Sequence, residues 1–473
     1  MAKSKSGSTE SGPAAQLAER LRAGVRDEQT APPPGARDQD VLTGLTPSGQ
    51  YRLPVEVVVR SGIDALRASG RVYGHGGTIV FDTTAPSDEP ALVPLRSEAR
   101  VEPAAGGLLA NILVCGGEVK GQPVWFPLPS VFLQVLLNAE PLARELPRID
   151  LYARRALFGP DYELLNPGYH PGPRYLIHGA PVEPDVAPLP HAEAPVERLP
   201  PHLNRLLSGF CFRDAADSAN ALALLITGVL VNHFVEGGKP VALIDGTQPG
   251  LGKTLLVRVI GMVLDGVDPR PIHYTPDDEE LQKRICATLR PNRQSVVLID
   301  NAKSPTGTPI SSPAVEANSM APEISLRILG VSQNYVRPND AIWALTMNQT
   351  RVSPDLVSRG LPIRLEYIGD PARRAFGRAD PIAYARTHRP EILAELFGFV
   401  VRWTQQGRPR GAQAHRLHGW AEVIGGIMTA NGFPAFLANY DEAAATFNSE
   451  LEELSTLVEI VLADPNGPHV TTP

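Results

Sequence analysis

The chain has 473 residues, 43% of them hydrophobic and 20% charged, with a formal net charge of −7. That length allows two or three domains with cores of their own, and the composition is that of a soluble globular protein. The acidic balance excludes a global electrostatic pull toward nucleic acid, so any DNA contact has to come from a local basic surface. Three cysteines, Cys115, Cys211 and Cys286, lie far apart without CxxC or metal-ligand spacing, as expected of thiols in a reducing compartment. The longest apolar run, ALALLITGVLV at 221–231, falls short of the ~20 residues of a membrane span. The first residues also lack a signal peptide's apolar core. A cytoplasmic protein with no membrane partner is the expectation.

Residues 1–50 are rich in Ser, Gly, Pro and mixed charge and read as a disordered tail, with a short helix at AAQLAERLRAGV. Residues 51–181 carry a mixed pattern. PVEVVVR and GTIVFDT have the character of strands, IDALRAS and SVFLQVLLNAEPLARE that of helices. RIDLYARRALFGPDYELLNPGYHPGPRYLI is turn-rich and aromatic, which predicts short hairpins. Together these describe a small α+β domain whose sequence names no chemistry. A proline-rich linker is expected at 182–201, and then a helix from about Asp214 to Phe234.

The most informative stretch follows at Val241–Thr254, VALIDGTQPGLGKT. An apolar strand passes through a glycine-rich turn into the helical run LLVRVIGMVL, the setting a nucleotide phosphate requires. The loop Thr247, Gln248, Pro249, Gly250, Leu251 and Gly252, through the backbone N–H groups of all but the proline and with the helix N-terminus, makes a positively polarised cradle. Lys253 would reach the β- and γ-phosphates, and the Thr254 hydroxyl would ligate Mg²⁺. Thr247 stands where the GxxxxGK[ST] pattern has its first glycine.

Further along, QSVVLIDN is an apolar strand ending in Asp300, whose carboxylate would hold the Mg²⁺. The next residue, Asn301, cannot take a proton from water, so a general base has to come from elsewhere. A third strand, AIWALTMNQ, presents Asn348, an amide able to orient the attacking water. SPDLVSRGLPIRL then gives a short helix with Arg359 at its end, poised to reach a neighbouring subunit's γ-phosphate or else to pair with Asp355. From Pro381 onward the pattern is helical, through EILAELFGFVVRWTQQ and GWAEVIGGIMTA to a closing SELEELSTLVEIVLA.

These motifs, in this order and spacing, resemble an AAA+/superfamily 3-type ATPase, and in particular the helicase-like domain of phage, plasmid and integrative-element primase–helicase proteins. DDEELQKRICATLRPNRQSVVLIDN, SLRILGVSQNYVRPNDAIWALTMNQTRVSPDLVSRGLPIRL and HGWAEVIGGIMTANGFPAFLANYDE carry the likeness, which covers roughly Pro200 to Ala445. It departs at Thr247, at Asn348-Gln349 where the group tends to have Asn-Asn, and at Ser358-Arg359 in place of Arg-Arg.

The resemblance implies an α/β P-loop ATPase core of ASCE/AAA+ type with a parallel sheet over 202–370, and a helical lid with C-terminal helices over 371–473. It implies ATP and Mg²⁺ as cofactors, single-stranded or forked DNA as substrate, and a homo-oligomer, a hexamer by that resemblance, with Arg359 acting between subunits. A β-hairpin before the sensor strand would enter the ring's pore, with Tyr335 and Arg337 at its tip and Arg327 a second basic contact. Read from the residues alone, the same stretch is equally an ordinary hairpin turn on Pro338-Asn339-Asp340 with Tyr335 packing locally. No primase pattern is present, so any priming partner would be a separately encoded primase or polymerase. Arg373, Arg374 and Arg389 are candidates for a second sensor. The competing expectation is a nucleotide-controlled loader or regulatory ATPase with little unwinding activity, which Asn301 and the acidic charge favour.

Overall fold

The computed structural model describes residues 40–83, 91–97, 100–119, 122–289, 294–303, 308–328, 334–373 and 380–447. The helices expected at AAQLAERLRAGV and SELEELSTLVEIVLA lie outside these residues. The chain divides between Asp150 and Leu151 into two compact units.

In the first unit a five-stranded sheet runs Arg100–Val101, Ala91–Ser97, Thr78–Thr83, Val72–His75 and Arg148–Ile149. A three-stranded sheet joins Asp40–Leu42 to Leu113–Val119 and Gln122–Phe126. The expected tail is therefore too long: Leu42 and Leu45 are buried in this unit's core. PVEVVVR is also not a strand, because Val55–Ala68 forms one helix. Pro54 opens it from the N-cap, and Val58, Gly62, Ile63 and Leu66 fall on one buried face at helical spacing. Burial at that period outweighs the weak local preference of β-branched residues for strands.

The second unit is built on a parallel five-stranded sheet. Its strands are β1 (Val241–Gly246), β2 (Ile272–His273), β3 (Val296–Ala302), β6 (Ile342–Met347) and β7 (Gly360–Leu365), in the spatial order β2-β3-β6-β1-β7. Between β3 and β6 the chain makes an antiparallel hairpin, β4 (Glu323–Arg327) with β5 (Asn334–Pro338). The near-continuous apolar runs of β1, β3 and β6 fit a sheet covered on both faces. One face packs on α1 (Ala215–Val229) and α2 (Lys253–Asp265), the other on α3 (Asp278–Leu289), α4 (Pro313–Met320) and the hairpin. The chain then runs through α5 (Pro354–Ser358), α6 (Arg389–Gln405), α7 (His418–Ala430) and α8 (Tyr440–Phe447). Helices α6 and α7 share one hydrophobic core with α1 and α2, so this part is continuous with the sheet rather than a separate lid.

Two expected boundaries move. Residues 151–181 fold with the second unit: Arg155 is fully buried and donates to the carbonyls of Gly228 and Leu264, and Phe158 packs edge-on against Phe397. The proline-rich stretch is a strap on α6 rather than a loose linker. The Asp185 N–H donates to the Ala394 carbonyl at 2.8 Å, and Arg402 returns a bond to the Asp185 carbonyl at 2.9 Å. A Cβ at Gly398 would overlap that same carbonyl oxygen. Gly398→Ala is expected to lower stability by about 1–3 kcal/mol, read as an earlier urea midpoint with unchanged slope.

Candidate functional site

Parallel strands bring their carboxyl ends to one edge, and the polar groups singled out in the sequence meet there. The register pairs Ile244 with Thr346 and Gly246 with Leu365, so the glycine loop leaves β1 between β6 and β7. Gly250 and Gly252 take φ of 82° and 93°, values that L side chains rarely adopt. Gly252 caps α2, which starts at Lys253. The loop is tied down by Gln248, whose amide donates to the Tyr367 and Gly369 carbonyls at 2.8 and 3.1 Å.

Lys253 is 7% exposed and donates to the Asn348 amide oxygen at 2.6 Å and to the Gln248 carbonyl at 3.1 Å. Burial pulls its pKa down, against the opposing pull of Asp245. The Thr254 hydroxyl donates to Asp300 Oδ1 at 2.6 Å, and the Thr346 hydroxyl donates to the same oxygen at 2.7 Å. Thr346 in turn accepts the Asn301 N–H at 2.9 Å. Asn301 sits at φ 56° and Gln349 at φ 45°, both left-handed and both at strand ends on this edge. The Gln349 N–H is held by Asp245 Oδ1 at 2.7 Å. Non-glycine residues in this region cost of order 1–3 kcal/mol, and here each is fixed by a side chain from the neighbouring strand.

Sequence reasoning named Lys253, Thr254, Asp300 and Asn348, and the structure brings them together. It missed Thr346 and Asp245, which bridge neighbouring strand ends. That Thr346 and Asp245 reach across to the neighbouring strands cannot be read until the strand order is known. Beside the loop lies a cavity of about 360 Å³ lined by Asp245, Thr247, Gln349, Arg351, Arg364 and Arg213, among others.

The other candidates stand elsewhere. Arg359 ends α5 at the amino end of β7, a strand's length from the loop, about 17 Å at 3.3 Å per residue. It pairs with Asp355 at 2.9 Å and donates to the Glu316 carbonyl at 3.2 Å. Arg337 is not at a hairpin tip. It is 3% exposed within β5, in an ion pair with Asp340. Burial works against its charge, but Asp340 and Tyr335 together raise the pKa above the usual arginine value. Tyr335 is half-buried, with its hydroxyl donating to the Leu289 carbonyl at 3.2 Å. Both are therefore unsuited to contact DNA as placed. Arg327 is exposed at the end of β4, next to residues 329–333, which lie outside the described residues. Of the second-sensor candidates, Arg374 lies outside the described residues, Arg373 is exposed beside Asp370, and Arg389 is held by the carbonyls of Val263, Leu264 and Arg154.

No protein-family model matches the chain, and no curated protein matches it. Among solved structures it is similar to the C-terminal region of NrS-1, at 13% identity and a TM-score of 0.33, over 72% of this chain and 71% of that one. It is similar to SCCmec type IV Cch, described as an active helicase, at 10% identity and a TM-score of 0.35, over 81% and 75%. It is similar to a JCV helicase bound to a small molecule, at 13% identity and a TM-score of 0.23, over 50% of this chain and 61% of that one. Likenesses at this level assign nothing. What the fold and the site themselves define is a parallel α/β protein with a glycine loop, a lysine and a hydroxyl–carboxylate pair at the carboxyl edge of its sheet.

A buried acid underlies this edge. Asp217, on α1, accepts the Arg364 N–H at 2.8 Å and the Asn439 amide at 2.7 Å, and burial pushes its pKa from 3.8 up to about 7. A raised carboxyl pKa means that the folded protein binds the proton more tightly. The associated stability is full below the unfolded value and is lost as pH rises through about 7. Asp217→Asn is expected to be more stable than the parent at pH 8, with the difference shrinking toward pH ~5 in urea titrations.

Proposed function

We propose that the second unit binds and hydrolyses ATP with Mg²⁺, and that the chain works as a homo-oligomeric, hexamer-like ring moving single-stranded or forked DNA. The observation that carries this reading is the division of polar groups between the two edges of one sheet. Lys253, Thr254, Asp300 and Asn348 gather at the carboxyl edge, and Arg359 stands at the amino edge. An arginine so placed is out of reach of its own loop and open to service to a neighbour's. The strand order also supports the reading, because β6 separates the loop strand from the Asp300 strand, and its end delivers Asn348 between them.

The residues fit such a cofactor. Gly250 and Gly252 let the backbone approach phosphate oxygens, and the start of α2 aims N–H groups at them. Thr254 and Asp300 are one hydroxyl and one carboxylate already 2.6 Å apart, the modest protein share expected of a Mg²⁺ site completed by phosphate and water. Bound Mg²⁺ would neutralise charge on the β- and γ-phosphate oxygens. Lys253, which donates to Asn348, would serve the γ-phosphate, with the Asn348 amide beside it to orient water. Arg327, exposed at the hairpin's end, is the remaining candidate for a DNA phosphate contact.

The alternative, a nucleotide-controlled loader or switch, is favoured by two observations. Asn301 supplies no carboxylate beside Asp300, and Arg337 and Tyr335 are committed to packing. Steady-state ATP hydrolysis with and without single-stranded DNA tests both readings. A motor is expected to be stimulated by DNA, and Lys253→Ala to lower turnover by on the order of 10²-fold or more. Slow turnover indifferent to DNA would support the switch instead, and turnover unchanged in Lys253→Ala would defeat both.

A further inference from the structure

The amino edge of the sheet holds a second arginine, distant in sequence from the first. Arg416 lies in the segment leading into α7, some fifty-seven residues after Arg359. Its guanidinium donates to Asp355 Oδ1 at 2.8 Å and to the Ser358 hydroxyl at 2.9 Å, while Arg359 takes Asp355 Oδ2 at 2.9 Å. One carboxylate thus serves two guanidinium groups, while the nearby Glu316 carboxylate is taken up by the Ser353 hydroxyl at 2.8 Å. The two differ in access: the Arg359 side chain is 18% exposed and that of Arg416 is 52% exposed.

The segment that carries Arg416 is fixed. His415, 4% exposed, donates from Nε2 to the Gly360 carbonyl at 3.2 Å and accepts the Leu417 N–H on Nδ1 at 3.1 Å. Its ring packs between Trp420 and Tyr440, at 5.1 and 5.0 Å between centroids. The Tyr440 hydroxyl donates to the Ser358 carbonyl at 2.9 Å, binding α8 to the end of α5. Arg416 is therefore an exposed cation between two buried residues, His415 and Leu417, and is held in place before any partner arrives. Such preorganisation is what makes a charge effective against one developing in a transition state.

We propose that Arg416 is a second trans-acting arginine, placed with Arg359 against the terminal phosphate of the nucleotide bound by the neighbouring copy. This rests on the ATPase-ring reading above. Asp355 keeps the two guanidinium groups together in the free edge, and the incoming phosphate, with more oxygens and more charge, takes Arg416 beside Arg359. The carboxylate and Ser358 set the direction of the exposed side chain, and Arg359 is the more deeply anchored of the pair.

The test is complementation between two defective copies in the full chain. Arg416→Ala is expected to bind a fluorescent ATP analogue as the parent does and to hydrolyse ATP on the order of 10²-fold more slowly. Mixing it with Lys253→Ala, which has a dead loop but an intact Arg416, is expected to raise turnover well above the sum of the two separate preparations. In the mixed ring a good loop meets a good arginine. Parent-like turnover in Arg416→Ala, with Lys253→Ala inactive, would overturn the proposal and leave the ATPase reading standing. Slow turnover with no gain on mixing would also overturn it, because Arg416 would then act within its own copy. Arg416→Lys keeps the charge and the assembly if alanine loosens the ring, and the same mixing experiment then decides. Full turnover in Lys253→Ala alone would mean that the ATPase reading itself is wrong.

Discussion

One carboxylate oxygen organises the carboxyl edge. Asp300 Oδ1 accepts hydroxyls from Thr254, at the start of α2, and from Thr346, at the end of β6, at 2.6 and 2.7 Å. It thereby joins the helix after the glycine loop, its own strand and the strand that ends in Asn348. Charge-assisted bonds of this length are stronger than neutral ones. Asn301 depends on the same group, since its left-handed backbone is held by the Thr346 oxygen. The geometry that would meet a triphosphate is thus set by side chains bonding across strands, while the loop itself contributes mostly backbone.

A second set of charges explains why Arg337 is packed into the base of the hairpin. Lys239 is fully buried, its pKa pushed down to about 7 by burial against the support of Asp340, and donates to the Asn339 carbonyl at 2.6 Å. The Asn339 amide donates to the carbonyls of Asn318, Ser319 and Ala321, and its oxygen takes the Trp343 indole N–H. Arg337 is paired with Asp340 in the same cluster. Removing one partner of a buried pair strands the other, at a cost of about 3–5 kcal/mol. Arg337 is accordingly part of the hairpin's foundation, and a contact with DNA would have to abandon Asp340.

What was legible in the sequence and what was not divide along a physical line. The glycine loop, the Asp300 strand and the Asn348 strand are contiguous runs whose chemistry and period announce them, and each forms an element where expected. Relations between distant segments left no such mark. Arg337 reads as a basic hairpin residue until Asp340 and the packing around it are seen. Nothing in the residues around His415 foretells that Gly360, Trp420 and Tyr440 close around it. The valines at 57–59 read as a strand, but the period of burial set by their neighbours makes them helical. Residues 151–200 read as a domain end and a linker because prolines punctuate them. Their bonds run to Gly228, Leu264 and Ala394, which local pattern does not reveal.

The parallel sheet imposes a further asymmetry. Every strand runs the same way, so loops that can bind a ligand emerge at one edge and the short connections that carry Arg359 and its neighbours emerge at the other. Folding alone cannot bring the two edges of one sheet together, because the strands between them are rigid and their cores are packed on both faces. In the ring proposed above, the missing cation would come from a second copy whose amino edge faces this carboxyl edge, a heterologous contact between unlike patches. On that view the anchoring of α8 and of the segment before α7 on the end of α5 has a purpose beyond stability. It stiffens the amino edge, so that whatever meets the neighbour's nucleotide arrives with its direction already set.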